Sequence, residues 1–175
     1  MKINIDIRPF QSQDVAPFYN AAKESFEHMH QFMPWCHLEY SMEESREWVE
    51  SRIESIKNNN EHSFVIYSKE DNELLGGVEL NQINQTHQIG NLGYWVRKKA
   101  LNMGVATKAT LLLASYGFNT VGLTRLEIVT LVNNIPSRKV AENVGAKYEG
   151  ILQNRLVING KAVNACMFSL IKQNK

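Results

Sequence analysis

The spacing of apolar residues predicts that strands and helices alternate along the chain. Ile3, Ile5 and Ile7 alternate with polar residues, the pattern of a half-buried strand, and Pro9 ends that strand. Apolar residues at helical spacing then predict a first helix over Ser12 to Met29.

A capping-box pattern marks the start of a second helix. Ser41 stands three residues before Glu44, so each side chain can bond the backbone N–H of the other residue. Apolar residues at helical spacing follow, and we expect this helix to end at Asn58 to Asn60. The pattern then changes to the period of strands, and three strands are expected over 63–68, 74–83 and 88–97.

The second half of the chain alternates helices with strands. A helix over Gly104 to Thr120 precedes an apolar strand over 126–131, which we expect to be buried. Asn134 can cap a shorter helix that stops at Gly145. Asn159-Gly160 between two strand patterns predicts a hairpin. The order of elements predicts an α/β (α+β) fold with a mixed, mostly antiparallel sheet of about seven strands and about four helices.

Composition narrows the class of protein. The length of 175 residues predicts a single domain over residues 1–175, and the net charge of +1 indicates neither nucleic acid nor an anionic membrane as partner. No apolar run is long enough for a membrane span. Cys36 and Cys166 lack partners at metal-ligand spacing, and His28 and His30 do not share a helix face, so we expect no metal site. A reducing, cytoplasmic setting fits this cysteine content.

The segment from Tyr94 to Lys108 carries the most specific chemistry. A strand runs into a basic turn and then into the start of a helix, where free backbone N–H groups and the helix dipole bind anions. Gly104 lets the backbone approach a bound group, and Ala106 is small for the same purpose. The segment therefore predicts a site for a phosphorylated ligand. Three lysines add positive charge nearby, namely Lys98, Lys99 and Lys108.

Two motifs in this half of the chain follow a known pattern. Leu101 to Ala106 follows Arg/Gln-x-x-Gly-x-Gly/Ala except at its first residue, and Gly93-Tyr94-Trp95-Val96 stands just upstream. Asn134 to Ala146 follows Asn-x-x-Ser-x-x-Val-x-Glu-x-x-Gly-Phe, with Ala146 in place of the aromatic residue. Two motifs in this order and context are more specific than either alone. Through these two motifs the chain resembles the GNAT superfamily of N-acetyltransferases, and most closely its ribosomal-protein N-terminal acetyltransferase (RimJ/RimL-like) branch.

The resemblance implies an enzyme that uses acetyl-CoA and no metal. It implies that the backbone of the glycine loop holds the pyrophosphate, that the preceding strand lies along the pantetheine arm, and that an asparagine bonds that arm. A backbone N–H near Trp95 or Val96 is the expected oxyanion donor. The residues expected to bind the cofactor are Trp95, Val96, Arg97, Asn102, Met103, Gly104, Val105, Ala106, Thr107, Asn134, Ser137 and Lys139.

The resemblance also implies direct attack of an amine on the thioester. Ser137 is expected as general acid, because the serine of this motif sits near the thioester sulfur in relatives; its alternative role is a local hydrogen bond in its helix. Many relatives use a tyrosine in the last strands instead, but Phe168 occupies that position and cannot donate. Glu79 is the candidate base, acting through a water, because Asn91 stands where relatives often carry a glutamate. The alternative for Glu79 is a solvated strand carboxylate.

The acceptor is predicted less sharply than the cofactor. Met33-Pro34-Trp35 resembles the aromatic substrate loop of the branch, so Met33, Trp35 and Glu79 are expected to contact a primary amine, although Trp35 could simply cover the core. The amine is either a protein N-terminal α-amine, of the ribosomal-protein serine or alanine type, or a small amine.

Two further questions stay open at this point. Members of the branch are often homodimers, and the C-terminal strand with Cys166, Met167 and Phe168 is where such an interface is expected. A non-catalytic acyl-CoA-binding module is the alternative to an enzyme, and Leu101, Asn91 and Phe168 keep it open.

Overall fold

The computed structural model describes residues 3–58 and 61–173. The seven strands are β1 (Ile5–Pro9), β2 (His62–Ser68), β3 (Leu74–Asn84), β4 (Ile89–Val96), β5 (Arg125–Leu131), β6 (Lys147–Ile158) and β7 (Lys161–Ile171). The four α-helices are α1 (Val15–Met29), α2 (Met42–Lys57), α3 (Val105–Tyr116) and α4 (Ile135–Asn143). Asn59 and Asn60, where the second helix was expected to end, lie outside the described residues.

One mixed sheet runs through the chain in the order β1-β2-β3-β4-β5-β7-β6. Neighbouring strands are antiparallel except β4 and β5, which are parallel and are joined by the crossover through α3. The predicted mixed, mostly antiparallel sheet of seven strands with four helices is therefore confirmed.

The predicted caps and turns also form. Ser41 Oγ accepts from Glu44 N at 3.2 Å while Glu44 Oε2 accepts from Ser41 N at 2.9 Å, which completes the capping box. Asn134 Oδ1 accepts from the backbone N–H of Ser137 at 3.2 Å and begins α4. Asn159 (φ 48°) and Gly160 (φ 74°) take the left-handed conformations that a tight hairpin between β6 and β7 requires.

The third helix ends earlier than expected. Regular α-helix stops at Tyr116, and Gly117–Val121 continues as one π-helical turn. A Cβ on Gly117 would lie 3.0 Å from Leu80 Cδ1, so the turn packs closely on the sheet only because this residue is glycine. Hydrophobic period alone does not distinguish such a turn from α-helix.

A cluster of buried side chains packs on each face of the sheet. One cluster joins α3 to the sheet and includes Leu80, Leu92, Leu113, Leu126 and Phe168. The other lies beneath α1 and α2 and includes Phe18, Val49, Val65 and Trp95. No helix among the described residues is long and apolar enough to cross a membrane.

The C-terminal strands differ from the expectation about a subunit interface. Cys166, Met167 and Phe168 are 1%, 6% and 0% exposed, because β7 lies between β5 and β6 and turns these side chains into its own core. They are therefore not available to a second subunit. Exposed apolar side chains of this region lie mainly on the edge strand β6, where Ile151 and Val157 are 51% and 66% exposed, and at the end of β7, where Ile171 is 56% exposed.

An ion pair ties the same strands together. Arg125 on β5 donates to both carboxylate oxygens of Glu149 on β6, at 2.8 and 2.6 Å, and to Glu127 at 2.9 Å. Ser169 Oγ on β7 donates to Glu149 at 2.6 Å. The Arg125 guanidinium, supported by Ser169, lowers the pKa of Glu149 to about 2.

Candidate active site

The sheet opens between its two parallel strands. β4 and β5 pair only from Ile89↔Arg125 to Asn91↔Glu127, although β4 continues to Val96 and β5 to Leu131. A cavity of about 130 Å³ lies where the two strands diverge, and it is lined on one side by Gly93 and Tyr94. The split leaves part of the β4 backbone without a neighbouring strand.

The direction of the β4 backbone decides which groups face this split. The N–H of Arg97 donates to Leu75 O on the β3 side at 2.7 Å. Because successive residues of a strand point their N–H groups to opposite sides, Trp95 also faces β3, whereas Tyr94 and Val96 face the split. His28 Nε2 contacts Val96 O at 3.1 Å, which agrees with this direction. Of the two expected oxyanion donors, Val96 is therefore the one whose N–H faces the open side.

The glycine loop presents the start of α3 to a second cavity. Gly104 is left-handed (φ 76°) and its carbonyl accepts the first helical bond, from Lys108 N at 3.0 Å. The N–H groups of the first turn have no partner within the helix and can bind an anion. The cavity beside them has a volume of about 410 Å³. Its lining includes Val96, Asn102, Gly104, Val105, Ala106, Thr107 and Lys139.

A third cavity, of about 460 Å³, extends from this loop toward the split. Trp95, Val96, Asn102, Ala106, Asn134 and Ser137, all predicted to bind the cofactor, line it. The three cavities share walls, so an elongated ligand can lie along the open edge of β4 with its phosphates at the start of α3. These residues fit the shape and chemistry of acetyl-CoA.

The side chains of the three expected lysines are engaged by other partners. Lys98 pairs with Glu27 at 2.6 Å, Lys99 pairs with Glu73, and Lys108 Nζ donates to Asn4 Oδ1 at 3.0 Å. The groups that face a phosphate in this cavity are therefore the backbone N–H groups of the loop and Lys139 on α4.

Ser137 has a hydrogen-bond partner that sequence reasoning did not assign. The hydroxyl of Tyr94 donates to Ser137 O at 2.9 Å and lies 3.1 Å from Ser137 Oγ. Burial raises the pKa of Tyr94 to about 12, so its hydroxyl stays protonated at neutral pH. Both side chains line the cavities on either side of the split.

Glu79 lies on β3, one strand away from the split, on the face covered by α1 and α2, and it lines none of the three cavities described above. It pairs with Gly93 across β3 and β4, and a Cβ on Gly93 would lie 3.4 Å from Glu79 Oε1. Its carboxylate is half-buried, and burial raises its pKa. A carboxylate with a raised pKa beside a cleft is suited to accept a proton.

Other predicted residues lie farther from the split. Arg97 is bound by Glu24 and Glu73, at 2.6 and 2.8 Å, and its side chain does not line the cavities described above. Met103 does not line them either. Met33 lines two of them, whereas Trp35 stacks on Phe18 and reaches the site only through Trp95, at 5.9 Å between ring centroids.

Several lining residues were missed by sequence reasoning. Pro136, Val140 and Asn143 line the loop cavity from α4. Their spacing places them on one face of a helix, and this signal was present in the sequence. His28 carried no such signal, because its contact with Val96 joins residues distant along the chain. Tyr94 stands in a motif, but its contact with Ser137 had no signal for the same reason.

The family model for the acetyltransferase (GNAT) domain matches residues 4–147. The chain belongs to this family. Probable N-acetyltransferase YjcK of Bacillus subtilis (strain 168) is 29% identical over 158 residues, which cover 89% of this chain and 87% of YjcK. The ribosomal-protein-serine acetyltransferase of Escherichia coli (strain K12) is 24% identical over 156 residues, which cover 89% of this chain and 86% of that protein.

Solved structures of GNAT proteins share the fold. RimL, a ribosomal L7/L12 alpha-N-protein acetyltransferase in complex with coenzyme A, superposes with a TM-score of 0.87 at 20% identity and covers 95% of this chain and 93% of its own. The activity of this GNAT chain is thus acetyl-CoA-dependent N-acetylation, as the two motifs predicted, and the findings favour an enzyme over a non-catalytic acyl-CoA-binding module.

Proposed function

We propose that the chain acetylates the α-amine at a protein N-terminus, including that of a ribosomal protein, by direct attack on the thioester of acetyl-CoA. One observation carries this proposal: the Ser137 hydroxyl lines the cavity at the split, and the Glu79 carboxylate lies against Gly93, which lines the same cavity. A base and an acid on either side of one reaction centre are what acetyl transfer to an amine requires.

Each step of acetyl transfer can then be assigned to a group of the protein. Glu79, through a water, accepts the proton that the ammonium group must lose, and the free amine attacks the thioester carbon. The Val96 N–H donates to the oxygen that gains negative charge. When the C–S bond breaks, the Ser137 hydroxyl gives its proton to the sulfur and regains one from the protonated nitrogen of the intermediate, which becomes the amide. Tyr94 holds Ser137 in place.

The surroundings of the split support a peptide acceptor. Phe32 and Met33, after α1, and Leu156, on β6, line the cavity of about 130 Å³. This volume suits the first residue of a peptide when its side chain is small. The names of the E. coli relative and of RimL, which both act on ribosomal proteins, point the same way.

Thiol release from acetyl-CoA, measured with a panel of amines, tests this proposal. The panel contains serine- and alanine-initiated peptides, the same peptides with blocked N-termini, and small diamines. We expect turnover with the free peptides and none with the blocked ones, and mass spectrometry should place the acetyl group on the first residue. Turnover of small amines alone would contradict the peptide acceptor. Coenzyme A binding without any turnover would favour the non-catalytic module, and no binding would exclude both.

The proposal also includes a single domain, a homodimer and a cytoplasmic location. Strands β6 and β7 continue the sheet beyond the residues that the family model matches, which supports one N-acetyltransferase domain over residues 1–175. The exposed apolar residues of β6 support a homodimer through that edge, and sedimentation of a Val157→Lys variant tests it. Two free cysteines support a cytoplasmic location.

A further inference from the structure

A row of side-chain hydrogen bonds crosses the sheet and ends at Glu79. Asn91 Nδ2 on β4 donates to Asn81 Oδ1 on β3 at 2.8 Å. Asn81 Nδ2 then donates to Glu79 Oε1 at 2.7 Å. All three side chains lie on the face covered by α1 and α2, because they alternate with the buried residues of the opposite core.

The ionised carboxylate sets the direction of this row. An ionised carboxylate only accepts hydrogen bonds, so Asn81 must turn its NH₂ group toward Glu79. The carbonyl oxygen of Asn81 then faces β4, and Asn91 must in turn present its NH₂ group to it. Each amide therefore has a single orientation that satisfies its neighbour, and the row favours the charged form of Glu79.

The row also fixes where the carboxylate lies. Gly93 is the cross-strand partner of Glu79, and the missing side chain there leaves the space that the carboxylate uses. Oε1 accepts from Asn81 and lies beside Gly93, whereas Oε2 faces β2, where the Ser63 hydroxyl lies at 3.4 Å. Oε1 is thus the oxygen that faces the split, and beside the Asn81 amide it keeps capacity to accept a proton from a water there.

We propose that Asn81 and Asn91 are positioning residues, which hold the Glu79 carboxylate ionised and directed at the cavity edge beside Gly93. This inference rests on the proposed role of Glu79 as base. It explains how a chain with Asn91 on β4 keeps a base at the site: the carboxylate stands one strand away, and the β4 amide supports it.

The charged groups around Glu79 give the sign of the expected pH effect. Arg52 on α2 and Glu61 before β2 act on it in opposite directions, and Glu127 on β5 lies beyond Asn91 in the parallel register. Burial is the main cause of its raised pKa, and the hydrogen bond from Asn81 opposes that rise. Loss of the Asn81 amide should therefore raise the pKa further, and the acid limb of the rate profile should move to higher pH.

The test uses neutral variants that remove the amide without adding charge. Asn81→Leu keeps the number and branching of side-chain heavy atoms, and Asn91→Leu interrupts the row one step earlier. Asn119→Leu is the matched control at an exposed position outside the row. With acetyl-CoA and a serine-initiated peptide, we expect kcat of Asn81→Leu at pH 7 to fall about tenfold, with KM for acetyl-CoA unchanged. Asn91→Leu should show a smaller shift in the same direction, and the control should match wild type.

A second measurement does not depend on turnover. Carbon-13 NMR follows the titration of the Glu79 carboxyl, assigned by its loss in Glu79→Gln, and its midpoint should rise in Asn81→Leu and less in Asn91→Leu. Unchanged midpoints in both variants would overturn the inference and leave the base role of Glu79 intact. If Glu79→Gln keeps the wild-type rate profile, the base role itself fails and the inference with it. In a Glu79→Gln background, Asn81→Leu should lower kcat no further, whereas a purely structural role would lower it again.

Discussion

Replacing Gly104 with alanine separates the contribution of the loop to folding from its contribution to the cofactor. Gly104 has a φ of 76°, and a Cβ built there meets no heavy atom within 4 Å. The cost is therefore confined to the backbone, about 1–2 kcal/mol for a left-handed alanine. In a domain of 175 residues this lowers Tm by about 2–8 °C.

The same change should weaken acetyl-CoA binding. An alanine can relieve its strain by moving the backbone, and this rotates the N–H groups of the first turn of α3 away from the phosphates. Loss of one hydrogen bond to a charged group costs about 1.5 kcal/mol, which raises KM for acetyl-CoA about tenfold. At saturating acetyl-CoA, kcat should stay near the wild-type value because Glu79 and Ser137 are unchanged.

Gly145→Ala is the matched control for this experiment. Gly145 is also left-handed, with φ 80°, its Cβ would also meet nothing within 4 Å, and it follows α4 rather than the loop. Thermal unfolding and initial rates of thiol release measure both variants. We expect similar losses in Tm and a raised KM only for Gly104→Ala. Equal KM values in the two variants would refute the role of the loop backbone, and an unchanged Tm would refute the estimate of strain.

Three other substitutions address separate features. Ser137→Ala should lower kcat by about 10²–10⁴ if this hydroxyl protonates the leaving sulfur; a rate within a factor of two of wild type would contradict that role. Gly77→Ala places a Cβ 2.7 Å from Trp95 Nε1, so tryptophan fluorescence should change and KM for acetyl-CoA should rise. The ion pair with Arg125 lowers the pKa of Glu149 to about 2, so the free energy of unfolding of wild type should fall as pH drops from 4.5 to about 2. Urea unfolding should show a smaller fall over the same pH range for Glu149→Gln.

The fold was predictable because its signals are local. The capping box at Ser41, the cap at Asn134 and the turn at Asn159-Gly160 each involve residues close along the chain, and each forms as expected. The apolar run over 126–131 was sufficient to place β5 inside the sheet. The end of α3 was missed because the π turn depends on how closely Gly117 approaches another strand.

The site was predictable only where a motif carried it. Gly104 and Ser137 stand in sequence patterns, and both line the cavities. The bond between Tyr94 and Ser137 joins residues 43 positions apart, so no spacing rule reveals it. The roles of the lysines were misjudged for a related reason: nearness along the chain does not reveal the acidic partners that α1 and the turn before β3 bring to Lys98 and Lys99.

The parallel pairing of β4 and β5 explains why the cofactor site and the reaction centre lie next to each other in this sheet. A parallel neighbour requires a crossover, and the crossover here begins with the glycine loop and α3, directly after β4. The strand that carries the open backbone edge therefore leads straight into the anion site, with eight residues between Val96 and Val105. Acceptor contacts come from other elements, after α1 and on β6, which can change without moving this connection. The acetyl donor is thus set by the topology, while the acceptor is set by the surrounding loops.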